Sequence, residues 1–290
     1  MRAEITDAVE LLRRGDRDSM ERALRHLQQT VFSFSMKVCG HREDAEDTMQ
    51  DVLMKSVSHL RTIDSPQALA VWLYKVTRNR CWMSRRRSKF APQHALSLDE
   101  LMPDSKELES LTNVDRDSPE AELISKERDQ HVQQAVLRIP AKYRLVLVLH
   151  DMEELDTADV AKITGLTEGT VRVRLHRARL FVRRELQQAS QHTRNKPKRK
   201  HHKPVDCRKM FAGLSEFIDG RVDDISCDRI QKHLQNCPPC LAFIEDLNKA
   251  VKRCHSYEVP CEPRTAEKVR KLLLQELLRA SGKDAKTSVL

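Results

Sequence analysis

One stretch restricts the fold of this chain more than any other. Val171, Leu175, Ala178 and Val182 are spaced i, i+4, i+7 and i+11, which puts all four on one face of a helix. Upstream of them, Gly165 interrupts ADVAKITGLTEGT as a tight turn does, and Thr167 stands where an N-cap belongs. The spacing predicts a short helix over about 155–163, a turn at Thr164–Leu166, and a second helix from about Glu168. This is the order of a helix–turn–helix.

The rest of the chain favours the same class. Aromatic residues are only 4% of the 290 and glycines number 7, while Leu, Val, Ala and Met carry the apolar pattern. Such a mix suits helices better than sheets. The expectation is an all-α protein: two small helical domains joined by a flexible linker, the second with the helix–turn–helix, plus a third small helical domain rich in cysteine. A chain of 290 residues also favours several modest cores over one large one. The boundaries expected are 1–88, a linker at 89–118, 119–188, a second linker at 189–206, 207–253, and a helix with a tail at 254–290. The linkers are read from Pro92, Pro103 and many acids in the first, and from Pro197, Pro204 and a basic run in the second.

The formal net charge is +9, which suits an anionic partner. Its placement matters more. Arg85, Arg86, Arg87 and Lys89 form one block, and Arg172, Arg174, Arg177, Arg179, Arg183 and Arg184 line the second helix. Beside the apolar stripe lie Arg172, Val173, His176 and Arg177 on an outward face. A helix fits the major groove of B-DNA, where Arg172 and Arg177 suit guanine edges and Val173 a thymine methyl. Arg174 and Arg179 point sideways and suit phosphates.

The run IPAKYRLVLVLHDMEELDTADVAKITGLTEGTVRVRLHRAR resembles the fourth conserved domain of extracytoplasmic-function sigma factors. The resemblance implies that the second helix reads the −35 promoter element, with Arg172, Val173, His176 and Arg177 as the base-reading positions.

The first segment fits the same family. In 42–60, Ala45, Met49, Val52, Leu53, Val57 and Leu60 make one apolar face, and Glu43, Glu46, Asp47, Gln50 and Asp51 the opposite one. An acidic outer face suits a basic protein partner. HREDAEDTMQDVLMKSV resembles the sigma helix that docks on the clamp coiled coil of the largest polymerase subunit, which implies contacts from Asp47, Gln50, Asp51 and Met54. AVWLYKVTRNRCWMSRRRSKF, after a helix start at Ser65-Pro66, resembles the part of a sigma factor that melts and reads the −10 element. Opening a duplex requires groups that hold an unstacked base and a single-stranded backbone. Asn79 is suited to a base edge, and Arg80, Arg85, Arg86 and Arg87 to phosphates. Trp72 shares an apolar face with Leu69 and Val76 and reads as core; Trp82 is open between core and stacking platform. Met83 departs from the family, which often carries an acid there.

HLQNCPPC brings together His233, Cys237 and Cys240 in H-x3-C-x2-C spacing. Zinc takes four tetrahedral ligands from thiolate and imidazole. With eight cysteines and no secretory leader pattern at the start, metal ligation is favoured over disulfides. The stretch from Cys207, through LSEFIDGRVDD, resembles the zinc-finger of zinc-binding anti-sigma factors, which implies one zinc ion held by Cys207, His233, Cys237 and Cys240. Cys227 is the rival fourth ligand, with Cys254 or His255 more distant ones. Cys39 and Cys81 read as small core residues.

The expected function is therefore a cytoplasmic sigma factor that directs RNA polymerase core to specific promoters, with promoter DNA and the polymerase as partners, no bond-making chemistry and no membrane segment. Two roles of the fused zinc domain are equally compatible with the sequence: it folds back on the sigma domains and regulates them by zinc or thiol state, or it is a structural module that contacts polymerase or another protein. Two rivals stand beside this. A helix–turn–helix operator-binding regulator with a structural zinc site would need neither the acidic docking helix nor the strand-melting helix. A metalloenzyme would need an open position on the metal.

Overall fold

The computed structural model describes residues 2–57, 59–60, 65–83, 101, 125–190, 211, 213–261 and 263–280. Among the described residues every regular element is helical, as expected for an all-α chain. The helices are α1 (Ala3–Arg14), α2 (Arg17–Cys39), α3 (Arg42–Ser56), α4 (Pro66–Met83), α5 (Ser125–Arg138), α6 (Ala141–Leu147), α7 (Thr157–Thr164), α8 (Glu168–Ser190), α9 (Leu214–Ile218), α10 (Asp224–Asn236), α11 (Pro238–Ser256) and α12 (Pro263–Ala280). A single wider turn, Val148–Met152, continues α6.

The chain forms two compact units. The first comprises residues 1–89, 153–166 and 258–290, and the second residues 90–152 and 167–257. This grouping differs from the chain-order segments expected from sequence. Residues 153–166 join the first unit, and so does the last helix.

In the first unit, punctuation follows backbone chemistry. Gly15 and Gly40 end α1 and α2 with φ of 69° and 77°, a conformation that costs glycine little. Asp16 caps α2 by accepting the Ser19 amide at 2.8 Å. The core is built from Ile5, Leu24, Leu27, Phe32, Phe34, Met49, Leu53 and Leu73, and the Phe34 and Tyr74 rings meet 4.9 Å apart at 60°. The last helix, expected from sequence as a segment following the third domain, packs in this unit. Val269, Leu273 and Leu277 of α12 are buried, and α12 packs on α2 and α3. Gln28 Nε2 of α2 donates to the Ala266 carbonyl at 2.8 Å, and Arg270 pairs with Glu21 at 3.3 Å. The helix is a core element of this unit.

In the second unit, Val171, Leu175, Ala178 and Val182 are all buried, as their spacing requires. α8 packs on α5 and α6 along one side and on α9 and α11 along another. Phe243 of α11 lies under the Arg183 guanidinium, 4.1 Å from its ring centre. Phe211 closes on the same ring edge-on at 5.0 Å.

Candidate nucleic-acid interface and metal centre

α7 starts at Asp156, whose carboxylate accepts the Asp159 amide at 2.7 Å. It ends at Gly165, with φ of 72° and its amide bonded to the Ala161 carbonyl at 2.8 Å. Thr167 Oγ1 then accepts the Thr170 amide at 3.3 Å, so the expected cap is made at the head of α8.

Along α8, the expected DNA-contacting residues meet different surroundings. Val173 is 56% exposed, and Arg172 is exposed with loose pairs to Glu168 at 3.5 Å and Glu216 at 3.4 Å. Arg174 is half-buried. Arg177 is half-buried and donates to the Tyr143 hydroxyl at 3.1 Å. His176 is 7% exposed, its Nδ1 2.9 Å from Ser215 Oγ on α9. Burial, with Arg179 and Arg177 nearby, pushes its pKa down to about 4. His176 is therefore a neutral, covered side chain in this arrangement.

Arg179 corrects the sequence reading. It was expected on a phosphate, yet it is 1% exposed. Its Nε and Nη2 donate to both oxygens of Asp151 at 2.8 and 2.6 Å. Nη2 also reaches Asp219 at 2.7 Å and Nη1 the Ser215 carbonyl at 3.1 Å. Burial alone would raise the Asp151 pKa; the Arg179 guanidinium overrides this and holds it well below the usual carboxylate range. An acid inside the apolar run LVLVLHDM was the sequence signal that a buried partner exists. Further along α8, Arg183 pairs with Asp246 at 2.7 Å, and Gln187 donates to the same oxygen at 2.8 Å. Thus Ser215, Glu216, Asp219 and Asp246, none singled out from sequence, line one side of the basic helix.

In the first unit, Asp47, Gln50 and Met54 of α3 are exposed and Asp51 half-buried. Asn79 and Arg80 of α4 are exposed, and Arg80 pairs with Asp51 at 2.7 Å. Trp72 is half-buried with its ring 4.7 Å from that of His59. Arg85, Arg86, Arg87 and the linker expected at 89–118 lie outside the described residues, Leu101 excepted.

The metal-ligand spacing closes in space. The donor atoms of His233, Cys237 and Cys240 all lie within 4.8 Å of one another. His233 sits in the last turn of α10, Cys237 is the joint between α10 and α11, and Cys240 lies in the first turn of α11. Cys237 has φ −133° and ψ 85°, outside the helical region, so α10 ends at this residue and Pro238 and Pro239 start the next helix. Tetrahedral zinc holds such donors roughly 3.5–3.8 Å apart, so no pair has to close by more than about 1.3 Å. The donor set fits zinc. Cys227 is outside this group and accepts from Gln231 Nε2 at 3.6 Å. Cys207 lies outside the described residues. None of the described cysteines forms a disulfide.

Comparison with known proteins finds three matched regions along the chain. The family profile described as "Sigma-70 region 2" covers residues 23–90, "Sigma-70, region 4" covers 130–182, and "Putative zinc-finger" covers 214–241. These place the chain among the sigma factors, the promoter-recognition subunits of RNA polymerase. ECF RNA polymerase sigma factor SigW of Bacillus subtilis is 25% identical over 186 residues, 64% of this chain and 98% of that protein. RNA polymerase sigma factor YlaC of the same organism is 24% identical over 178 residues, 61% and 98%. ECF RNA polymerase sigma factor SigM of Mycobacterium tuberculosis is 29% identical over 172 residues, 59% and 79%. The chain belongs to the extracytoplasmic-function sigma factors and carries a zinc-finger segment after region 4. Among the described residues, no helix is long and apolar enough to cross a membrane.

Proposed function

We propose a self-restrained sigma factor. α3 docks on the clamp coiled coil of polymerase core through Asp47, Gln50, Asp51 and Met54, and Asn79, Arg80 and the basic block at 85–87 hold the melted −10 element. α8 reads the −35 element with Arg172, Val173, Arg174, His176 and Arg177. The protein works in the cytoplasm by binding alone. Residues 207–253 hold one zinc ion through His233, Cys237, Cys240 and a fourth ligand, Cys207 first and Cys227 second. That metal fixes the α10–α11 joint, and with it the placement of α9 on α8.

One observation supports the restraint above all: Ser215, Glu216 and Asp219 engage His176, Arg172 and Arg179 on α8. A side chain that is hydrogen-bonded and covered is not available to a base edge, so α9 has to leave before His176 reads DNA. The test is promoter binding by holoenzyme on a selected −35/−10 sequence. Asp219→Arg, which sets a second cation beside Arg179, releases α9, and promoter affinity rises by about tenfold or more. Unchanged affinity in a folded variant refutes the restraint while leaving the sigma function standing.

A further inference from the structure

Two cysteines of the first unit stand together, and neither promoter reading nor zinc binding uses them. Cys39 closes α2, one residue before Gly40, and Cys81 lies in the last turn of α4. α2 packs on α4, and the Cys39 and Cys81 thiols are within hydrogen-bonding reach of each other. Cys81 is 8% exposed, whereas Cys39 is half-buried and reaches solvent. Neither is in a disulfide. The sequence reading of both as small core residues accounts for their packing and not for their meeting. The hydrogen bond from Cys39 lowers the Cys81 pKa and outweighs burial, which alone would raise it. A thiolate therefore forms more easily in this pair than in an isolated buried cysteine, and the thiolate is the nucleophile of sulfur chemistry.

We propose that Cys39 and Cys81 are an oxidation site for hydroperoxides, which convert the pair to an intramolecular disulfide. The half-exposed Cys39 sulfur gives up its proton and attacks one oxygen of hydrogen peroxide. The O–O bond breaks, the departing hydroxide takes up that proton as water, and Cys39 becomes a sulfenic acid. The Cys81 sulfur, deprotonated in its turn, attacks the Cys39 sulfur. The S–O bond breaks and a second water leaves. Two thiols and one peroxide thus give one disulfide and two waters, with the sulfurs oxidised and the peroxide oxygens reduced. A thiol reductant reverses the step by exchange, so under a reducing pool the pair is a reversible sensor and not a permanent staple.

Position gives the disulfide its consequence. Cys81 follows Asn79 and Arg80, the α4 residues assigned to the −10 element. Only Gly40 and His41 separate Cys39 from α3, the helix assigned to polymerase core. A disulfide holds its sulfurs about 2.0 Å apart, closer than hydrogen-bonded thiols, so forming it draws the last turn of α4 toward the end of α2. The exposed Asn79 and Arg80 move with that turn.

The consequence rests on the sigma-factor reading, while the linkage is read without it. Zinc-loaded full-length protein is treated with hydrogen peroxide, alkylated, and digested without reductant for peptide mapping by mass spectrometry. The expected product is a linked peptide pair containing Cys39 and Cys81, separated again by dithiothreitol. In Cys81→Ala the link is absent, and dimedone traps Cys39 as the sulfenic acid. If Cys81→Ala does not fold, Cys39→Ala, at the more exposed position, replaces it and leaves Cys81 alkylated as a thiol. Both cysteines alkylated as thiols at a peroxide excess that oxidises Cys237 and Cys240, or either one linked to another cysteine instead, overturns the proposal. Run-off initiation with polymerase core falls several-fold when the native chain is oxidised and returns with dithiothreitol. An equal loss in Cys81→Ala assigns the effect to other cysteines and overturns the consequence. Absence of initiation by the reduced protein marks failure of the sigma reading and leaves the linkage standing.

Discussion

Replacing Arg179 by methionine separates two roles that a basic residue on a DNA-reading helix can have. Methionine keeps much of the side-chain volume and removes the charge. Asp151 is then left 0% exposed, beside the His150 ring nitrogen at 2.8 Å. Removing one partner of a buried ion pair costs about 3–5 kcal/mol. The lost contacts to Asp219, which is partly exposed, and to the Ser215 carbonyl add roughly 0.5–1.5 kcal/mol each. The expected loss for the second unit is thus about 4 kcal/mol or more, a large share of the stability of a domain this size. Urea denaturation, followed by hydrogen exchange in α6 and α8, measures it. A phosphate contact has a different signature. It leaves stability unchanged and reduces the slope of log affinity against log salt by about 0.9. A folded Arg179→Met protein with native stability and a lower salt slope would refute the assignment. The pH dependence gives a second check. The Asp151 pKa is lowered in the folded state, so its contribution is fully present above the ordinary carboxylate value of 3.8 and is lost as pH falls below it.

Other consequences concern neighbouring residues. The His176 pKa is lowered from 6.5 to about 4, so covering the ring favours the neutral form; docking of α9 is fully stable above about pH 6.5 and weakens as pH falls toward 4, by about 2 kcal/mol at pH 5, measurable as α9 exchange against pH. Cys240→Ser is expected to abolish retention of one zinc equivalent, read by metal analysis after dialysis, and to expose α9 to protease; full zinc content in that variant contradicts the ligand set. Arg172→Ala should cost about 1–3 kcal/mol at one base pair of the −35 element only, whereas Arg174→Ala should weaken all sequences alike; competition binding on single-base variants distinguishes them.

Local pattern carried most of what was legible in the sequence. The four-residue apolar stripe of α8 is buried as its spacing demands, and Gly165 and Thr167 make the turn and the cap. His233, Cys237 and Cys240 converge because their short spacing leaves the chain little freedom. Long-range pairing was not legible. Lys37 and Glu153 are 116 positions apart, and no periodicity links them. Arg179 looked like its basic neighbours until Asp151 and Asp219 were seen around it, because burial of an arginine depends on partners from other elements. The last helix was amphipathic in sequence, yet which core it completes depends on the face that α2 presents, with Gln28 aimed at the Ala266 carbonyl.

Run-off transcription with purified polymerase core tests the account at its centre. Promoters are first selected from a random library with holoenzyme, and full-length protein is then compared with Asp219→Arg. The account predicts initiation at fixed start sites with the native chain and several-fold more transcript with the variant. Absence of any transcript with both proteins, each still binding duplex DNA, would contradict the sigma-factor assignment and favour an operator-binding regulator.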